Sequence, residues 1–319
     1  MAPSSKKTTP VDLSKVRQIA YADRSNKAQA GSFGRPMETV AGSDFFESLP
    51  DFLKAADLKR FISSVAAARR DNRPFHLLMG AHAIKVGLSP ILIDLMEREI
   101  VTGWSLNSAG LIHDLEVAFF GGTSEDVQSG LADGSFGMVK ETAELFAAVV
   151  DLAAKEDCGL GEAAGRFIDG EQARNSELSL FAAASRLECP TTIHVAIGTD
   201  IVAQHPCYDG GKVGAASFLD FRILCSICAE IDRGGTVANI GSAVILPEVF
   251  LKALTVARNL NPGRSQLTTA NFDMIAQYRP AVNVVSRPTH GAGQGYNFAG
   301  HHEVMIPLLA WGLRRALGR

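Results

Sequence analysis

One rhythm constrains this chain more than any other feature. Short apolar runs stop at Gly, Ser, Thr or Asp, and helix-periodic stretches separate them. "RPFHLLMGA" reads as a buried strand ended by Gly80, "SPILIDLMEREI" as a helix with Ser89 and Pro90 at its start, and "VTGWSLN" as the next strand. "NSAGLIHDLE" then opens another helix, and the rhythm returns at "TTIHVAIGTD", "GTVANIGSA" and "AVNVVSRP" (281–288). Strand and helix in alternation predict an α/β fold, a parallel sheet with helices on both faces. Ligands of such sheets bind beyond the carboxyl ends of the strands, so the loops 80–90 and 107–114 belong to one functional edge.

At 319 residues the chain is long enough for a large core without metals or disulfides. Residues 1–43, rich in Ser, Lys, Thr and Gly, read as a flexible N-terminal arm, and 44–319 as one α/β domain with a helical insertion at about 124–185. The formal net charge of −3 is spread without a basic stripe, which argues against a nucleic-acid partner and for a small-molecule substrate. Five cysteines, with no apolar leader and no run long enough to span a bilayer, predict a cytoplasmic protein with reduced thiols and no membrane partner.

Familiar nucleotide motifs are missing. "GAGQG" (291–295) lacks the G-x-G-x-x-G spacing, and Lys212 has neither the upstream glycine nor the following Ser or Thr of a phosphate loop. Cys225-x-x-Cys228 has no second pair and reads as core. Adjacent His301 and His302 point about 100 degrees apart on a helix, which disfavours joint chelation. His194 reads as a buried histidine. Asp200, after Gly198 and Thr199, is placed to hold ribose hydroxyls or an amine, with His205 as a possible proton-transfer neighbour. Glu248 and Lys252 are spaced for an i, i+4 ion pair, and a ligand-facing role competes with it.

The order of these motifs over roughly residues 75 to 307 resembles deoxyhypusine synthase, and more closely the bacterial deoxyhypusine synthase-like proteins. It rests on "GAHAIKVGLSPILIDLMEREIVTGWSLNSAGLIHDLE", "CPTTIHVAIGTDIVAQHP", "GGTVANIGSAVILPEVFLKALTVARN" and "VNVVSRPTHGAGQGYNFAGHHE". The resemblance implies a Rossmann-like NAD-binding fold and a homo-oligomer, a tetramer or dimer, with NAD surrounded by Gly80, Gly87, Ser108, Ala109, Gly110, Asp200, Gly241 and Ser242. His113 and Asp114 stand where that family places acidic ligand contacts. The chain departs from the family elsewhere. "NFAGHHEVMIPLLAWG" holds no lysine to form the synthase's imine, and Glu248 stands where the family has a helix histidine.

The reading that follows is an NAD-dependent enzyme that abstracts a hydride from a small amine- or hydroxyl-bearing substrate, with redox-neutral transfer as one form of that chemistry. His113, His301 or His302 would act as acid or base, and Asp114 and Glu248 would bind a cationic or polyhydroxyl group. No resident metal is expected. A metal-dependent hydrolase or lyase built on His205, His301 or His302 with Asp200 is the first alternative, and a non-catalytic nucleotide-binding protein the second.

Overall fold

A computed structural model describes residues 45–263 and 266–318. The expected N-terminal arm lies outside the described residues. The chain divides into two compact units, Met1–Ala56 and Asp57–Arg319. In the first, the described residues form the helical turn α1 (Phe45–Ser48) and the beginning of α2 (Leu53–Arg70). Everything below concerns the second.

Six parallel strands make one sheet: β1 (Phe75–Met79), β2 (Gly103–Asn107), β3 (Thr191–His194), β4 (Thr236–Ile240), β5 (Thr268–Asp273) and β6 (Gln294–Ala299). Their order is β3-β2-β1-β4-β5-β6. The chain builds outward from β1 in one direction, then returns and builds outward in the other. This is the Rossmann-like doubly wound arrangement, with its crevice at the reversal between β1 and β4.

Strands buried on both faces need apolar residues on both, and helices to cover them. On one face, Leu78 and Val237 pack with Cys225 and Cys228 of α10 (Gly210–Ile231) and with Phe250 and Leu254 of α11 (Ile245–Leu260). On the other, Phe61 of α2 meets Phe75, Phe272, Tyr296 and Phe298 at ring-centroid distances of 5.9–6.4 Å. Trp104 on that face donates its indole N–H to Met96 Sδ of α4 (Ser89–Glu97) at 3.1 Å. No described helix is long and apolar enough to cross a membrane.

Between β2 and β3 the chain runs through α5 (Ser108–Phe120), α6 (Val127–Asp133), α7 (Lys140–Glu156), α8 (Leu160–Gly170) and α9 (Leu180–Arg186). A four-residue helix, α3 (His82–Lys85), follows β1, and α12 (His302–Leu317) follows β6.

Two expectations fail at the far side of the sheet. "AVNVVSRP" is not a strand: Pro280–Ser286 winds into a π-helical turn that opens with Pro280. The strands there are β5, "TTANFD", and β6, "QGYNFA"; β6 falls within residues 289–300, which read from the sequence as a glycine loop, and the end of β5 within "NFDMIAQYRP", which read as loop and cap. In β5 the polar side chains are satisfied across strands: Asn239 Nδ2 donates to Asn271 Oδ1, and Asn271 Nδ2 to Asn297 Oδ1, both at 2.7 Å. β6 lies at the sheet edge with one face toward solvent, and its Gly295 lets it pass under the π-helical turn, where a Cβ would lie 2.3 Å from Val285 O.

Candidate functional site

The carboxyl edge of the sheet carries a cleft of about 170 Å³ beyond β2 and β3, lined by Lys85, Ala109, His113, Glu116, Glu125 and Asp200 among others. A depression of about 420 Å³ lies at the opposite edge, between α8, α9 and the start of β3. Its Cys189 thiol is pushed up to about 12 by burial, which leaves it a poor nucleophile. The smaller cleft is at the edge where open parallel sheets bind ligands, and it gathers the titratable groups.

The first turn of α5 builds this cleft. Asn107 ends β2 and caps the helix by accepting from Gly110 N at 3.1 Å, which brings Ala109 and His113 to the cleft wall. Ser108 donates its hydroxyl to Asp200 Oδ2, so the strand-end carboxylate is held at the α5 N-terminus. Partial burial raises the Asp200 pKa, and the Ser108 hydrogen bond opposes the rise.

His113 and Glu116 share a helix face and are joined through Thr123. The Thr123 hydroxyl donates to Glu116 Oε2, so its oxygen is left to accept from His113 Nδ1–H at 2.6 Å. That fixes the tautomer: in neutral His113 the proton is on Nδ1, and Nε2 carries the free lone pair. Thr142 Oγ1 also donates to Glu116 at 3.0 Å. Burial would raise the Glu116 carboxyl, but the nearby His113 and the hydrogen bonds from Thr123 and Thr142 outweigh it and hold the pKa below its usual value. An ionised carboxylate aligning an imidazole through a hydroxyl is a general-base arrangement.

Other expected residues go elsewhere. Asp114, one residue along from His113, faces inward and is fully buried. It accepts from Leu180 N at 2.9 Å, Phe181 N at 3.4 Å and the Ser179 hydroxyl, and so caps α9 rather than meeting a ligand. Glu248 is spent on Lys252, on Arg279 at 3.2 Å and on Asn283 at 2.9 Å. His301 is exposed beside Glu303 at 3.6 Å. His205 bonds Gly137 O at 2.8 Å. Among the described residues, no three His, Cys, Asp or Glu side chains gather as metal ligands.

The glycines expected to admit a cofactor mostly admit the protein itself. A Cβ on Gly80 would lie 2.5 Å from Gly241 O, one on Gly241 2.6 Å from His302 Cε1, and one on Gly110 2.8 Å from Leu106 Cδ2. Gly87, at φ 77°, serves the turn after α3. His302 is thus packed behind the β4 turn, with Nε2 3.2 Å from Phe272 O and Nδ1 left buried without a partner.

Two further features lie at the reversal of strand order between β1 and β4. In the turn Gly241–Val244, Ser242 Oγ accepts from Leu246 N at 3.2 Å, while the N–H groups of Ala243, Val244 and Ile245 have no hydrogen-bond partner among the described residues. Free N–H groups at the positive end of a 16-residue helix favour an anion. Beside that turn, Asp273 Oδ2 is buried and unpartnered. Sequence reasoning gave Asp273, with Arg279 in "NFDMIAQYRP", loop and cap duty, and passed over Lys85 and Glu116, although Glu116 could have been found from its i, i+3 spacing to His113.

No family model matches the chain, and no curated protein matches it in sequence. Its fold is similar to that of a conserved protein of Methanococcus maripaludis S2 described provisionally as LOR/SDH, at TM-score 0.53 and 13% identity over 89% of this chain and 76% of that one. It also matches AgrE, solved with ornithine and NAD+, at TM-score 0.49 and 13% identity over 82% of this chain. The chain spans about a third of the length of AgrE, 33% in the ornithine and NAD+ complex. A protein of Entamoeba histolytica described provisionally as a deoxyhypusine synthase matches at TM-score 0.47 and 12% identity, over 81% of this chain and 87% of that one. At such identities the likeness is one of fold.

Proposed function

We propose that this protein is an NAD-dependent enzyme acting on a small amine- or hydroxyl-bearing substrate. The observation that carries the reading is the strand-order reversal of the β3-β2-β1-β4-β5-β6 sheet between β1 and β4, with the unbonded N–H groups of the α11 turn beside it. When bound there, NAD would supply hydride acceptance. The residues of the cleft beyond β2 and β3 do the rest. His113, aligned by Thr123 and Glu116, takes a proton from the substrate hydroxyl or ammonium at Nε2, and Asp200 accepts a hydrogen bond from the same substrate. The synthase's covalent lysine step is not part of this reading, because α12 carries no lysine.

Association of identical chains belongs to the same proposal. Met274, Ile275 and Tyr278 stand exposed on the segment after β5, at the functional edge, where a second copy would cover them. Sedimentation of a monomer at micromolar concentration would remove this part.

Mass spectrometry of the purified protein, with thermal unfolding in NAD+ and NADH, tests the central claim. Cofactor at a hundredfold excess over Kd stabilises the folded state by about 2.7 kcal/mol and raises Tm by several degrees. No bound nucleotide and no shift with either form would end the proposal. His113→Gln is expected to retain the shift and lower turnover about 10²- to 10⁴-fold, read as NADH appearance with a panel of amines and alcohols. Cofactor binding without turnover of any of them would favour the non-catalytic alternative.

A further inference from the structure

We propose that the cleft beyond β2 and β3 takes a small monocarboxylate with a hydroxyl or amine on the adjacent carbon, and that Lys85 binds its carboxylate. The proposal rests on the reading of that cleft as the substrate site, and names the substrate class and a residue that selects it.

The charged side chains around the cleft differ in what they have left to offer. Both oxygens of Glu116 already accept, Oε1 from Thr142 and Oε2 from Thr123. Glu125 accepts from Gly137 N through both of its oxygens, at 3.0 and 3.1 Å. Asp200 is held by Ser108 through Oδ2, which leaves Oδ1 for a ligand donor. Lys85 is the one lysine or arginine among the residues lining the cleft. It is exposed at the end of α3, and its ammonium has no hydrogen bond or ion pair with any described residue.

The sheet gives these groups a direction. Ala109, Ile112, His113 and Glu116 lie at i, i+3, i+4 and i+7 on α5 and make one wall of the cleft. Lys85 comes to that wall from the segment after β1, and Asp200 from the segment after β3. Because β2, which leads into α5, lies between β1 and β3, the cation and the free carboxylate oxygen reach the cleft from opposite sides of His113.

A 2-hydroxy or 2-amino carboxylate matches that polarity. Its carboxylate pairs with the Lys85 ammonium, and the hydroxyl or ammonium on the next carbon meets Asp200 Oδ1 and His113 Nε2. Ile112, Val127, Phe136 and Ile201 supply apolar lining. The cleft, at about 170 Å³, is well below the roughly 300–1,000 Å³ of sites for drug-sized ligands, so the rest of the substrate is short and apolar. A diamine is opposed, since one ammonium would approach Lys85 and the carboxylates of Glu116 and Glu125 are already met by protein donors. A phosphate dianion or a dicarboxylate would bring a second negative charge with no second cation in the cleft to receive it.

Binding to the full chain tests this without turnover. The probes are lactate, 2-hydroxybutanoate and 2-aminobutanoate, each beside its primary amide, and 1,4-diaminobutane, followed by calorimetry and thermal unfolding with and without NADH. At least one acid is expected to bind about tenfold more tightly than its amide and than the diamine. Lys85→Gln should bring that acid and its amide to within about twofold of each other, and Lys85→Arg should keep the preference. Lys85 is exposed, so both variants are expected to fold, and cooperative unfolding checks it. Amides or the diamine binding as tightly as the acids overturn the proposal, as does failure of every acid to bind, and the wild-type protein alone decides both. An undiminished preference in folded Lys85→Gln overturns it as well. In each of these cases a thermal shift with NADH leaves the NAD reading standing. Acid binding that depends on Lys85, with no shift from NAD+ or NADH, upholds the proposal and removes the NAD reading.

Discussion

Asp220 illustrates how far one residue can shift the stability of this fold. It lies on α10, fully buried, where Oδ2 accepts from Ile193 N at 2.8 Å and from Gly161 N at 3.1 Å, while Oδ1 has no partner. Burial dominates those hydrogen bonds and pushes the pKa up to about 7. A raised carboxyl pKa means that the folded state holds its proton where the unfolded chain, near 3.8, has lost it. The folded state is therefore favoured at low pH and loses that advantage as pH rises from about 4 to about 7, by a few kcal/mol in all. Asp220→Asn removes the titration. Its unfolding free energy relative to wild type should improve by a few kcal/mol between about pH 4 and pH 8 in urea melts. A difference that does not change with pH would refute the assignment. His113 and Asp114 make the complementary point. Both were legible as polar residues in an apolar junction, but which of them faces the cleft depends on α9, whose N-terminus lies 65 or more residues further along the chain.

Among the elements, α9 shows what that placement does. It has only seven residues, and its N-terminal donors are met by Asp114 from α5 and by Ser179, which accepts from Ala182 N at 3.0 Å. Asp114→Ala leaves those donors buried and unmet, at a cost of about 1–3 kcal/mol in urea unfolding, with cofactor binding retained. Unchanged stability with lost binding would return Asp114 to the site. The strands β1 to β4 were legible because they are short, largely apolar (β1, β2) or rich in β-branched residues (β3, β4), and are bounded by Gly or turn residues. β5 and β6 were not. Their Asn, Thr and Gln residues are acceptable only because of the amide ladder and the edge position, and neither follows from local pattern. The converse error, "AVNVVSRP", has strand-like residues, but β6 fills the place beside β5 and leaves this segment to wind above it, with Thr269 Oγ1 donating to Val284 O at 2.8 Å.

Across the whole molecule, two sets of buried groups pull stability in opposite directions. A hydrogen-bonded row crosses three strands: His76 Nε2 to Ser105 Oγ at 2.8 Å, Ser105 to Thr192 at 2.7 Å, and Thr192 to His194 Nε2 at 3.0 Å. Burial lowers both histidines to about 3, so both are neutral in the folded state, and the stability they contribute is present above about 6.5 and lost as pH falls toward 3. Asp114, pushed by burial up to about 6, and Asp220 act in the opposite sense over much of the same range. Two groups against two leave these contributions nearly flat between about pH 4 and pH 6, and the histidines alone govern the loss below that. His194→Gln should therefore gain on wild type as pH falls below about 6.5, and parallel pH curves for the two would sink this account. The sequence by itself determined the α/β class, the parallel sheet and which loops share its carboxyl edge, because burial on both faces and turn chemistry are local in their demands. Only the tertiary structure decided that His113 faces the cleft while Asp114 caps a helix, that Gly80 and Gly241 make room for each other and for His302, and that Asp273 ends a strand with a carboxylate oxygen unmet. Each of those depends on which distant segment comes to lie alongside, and periodicity carries no record of that.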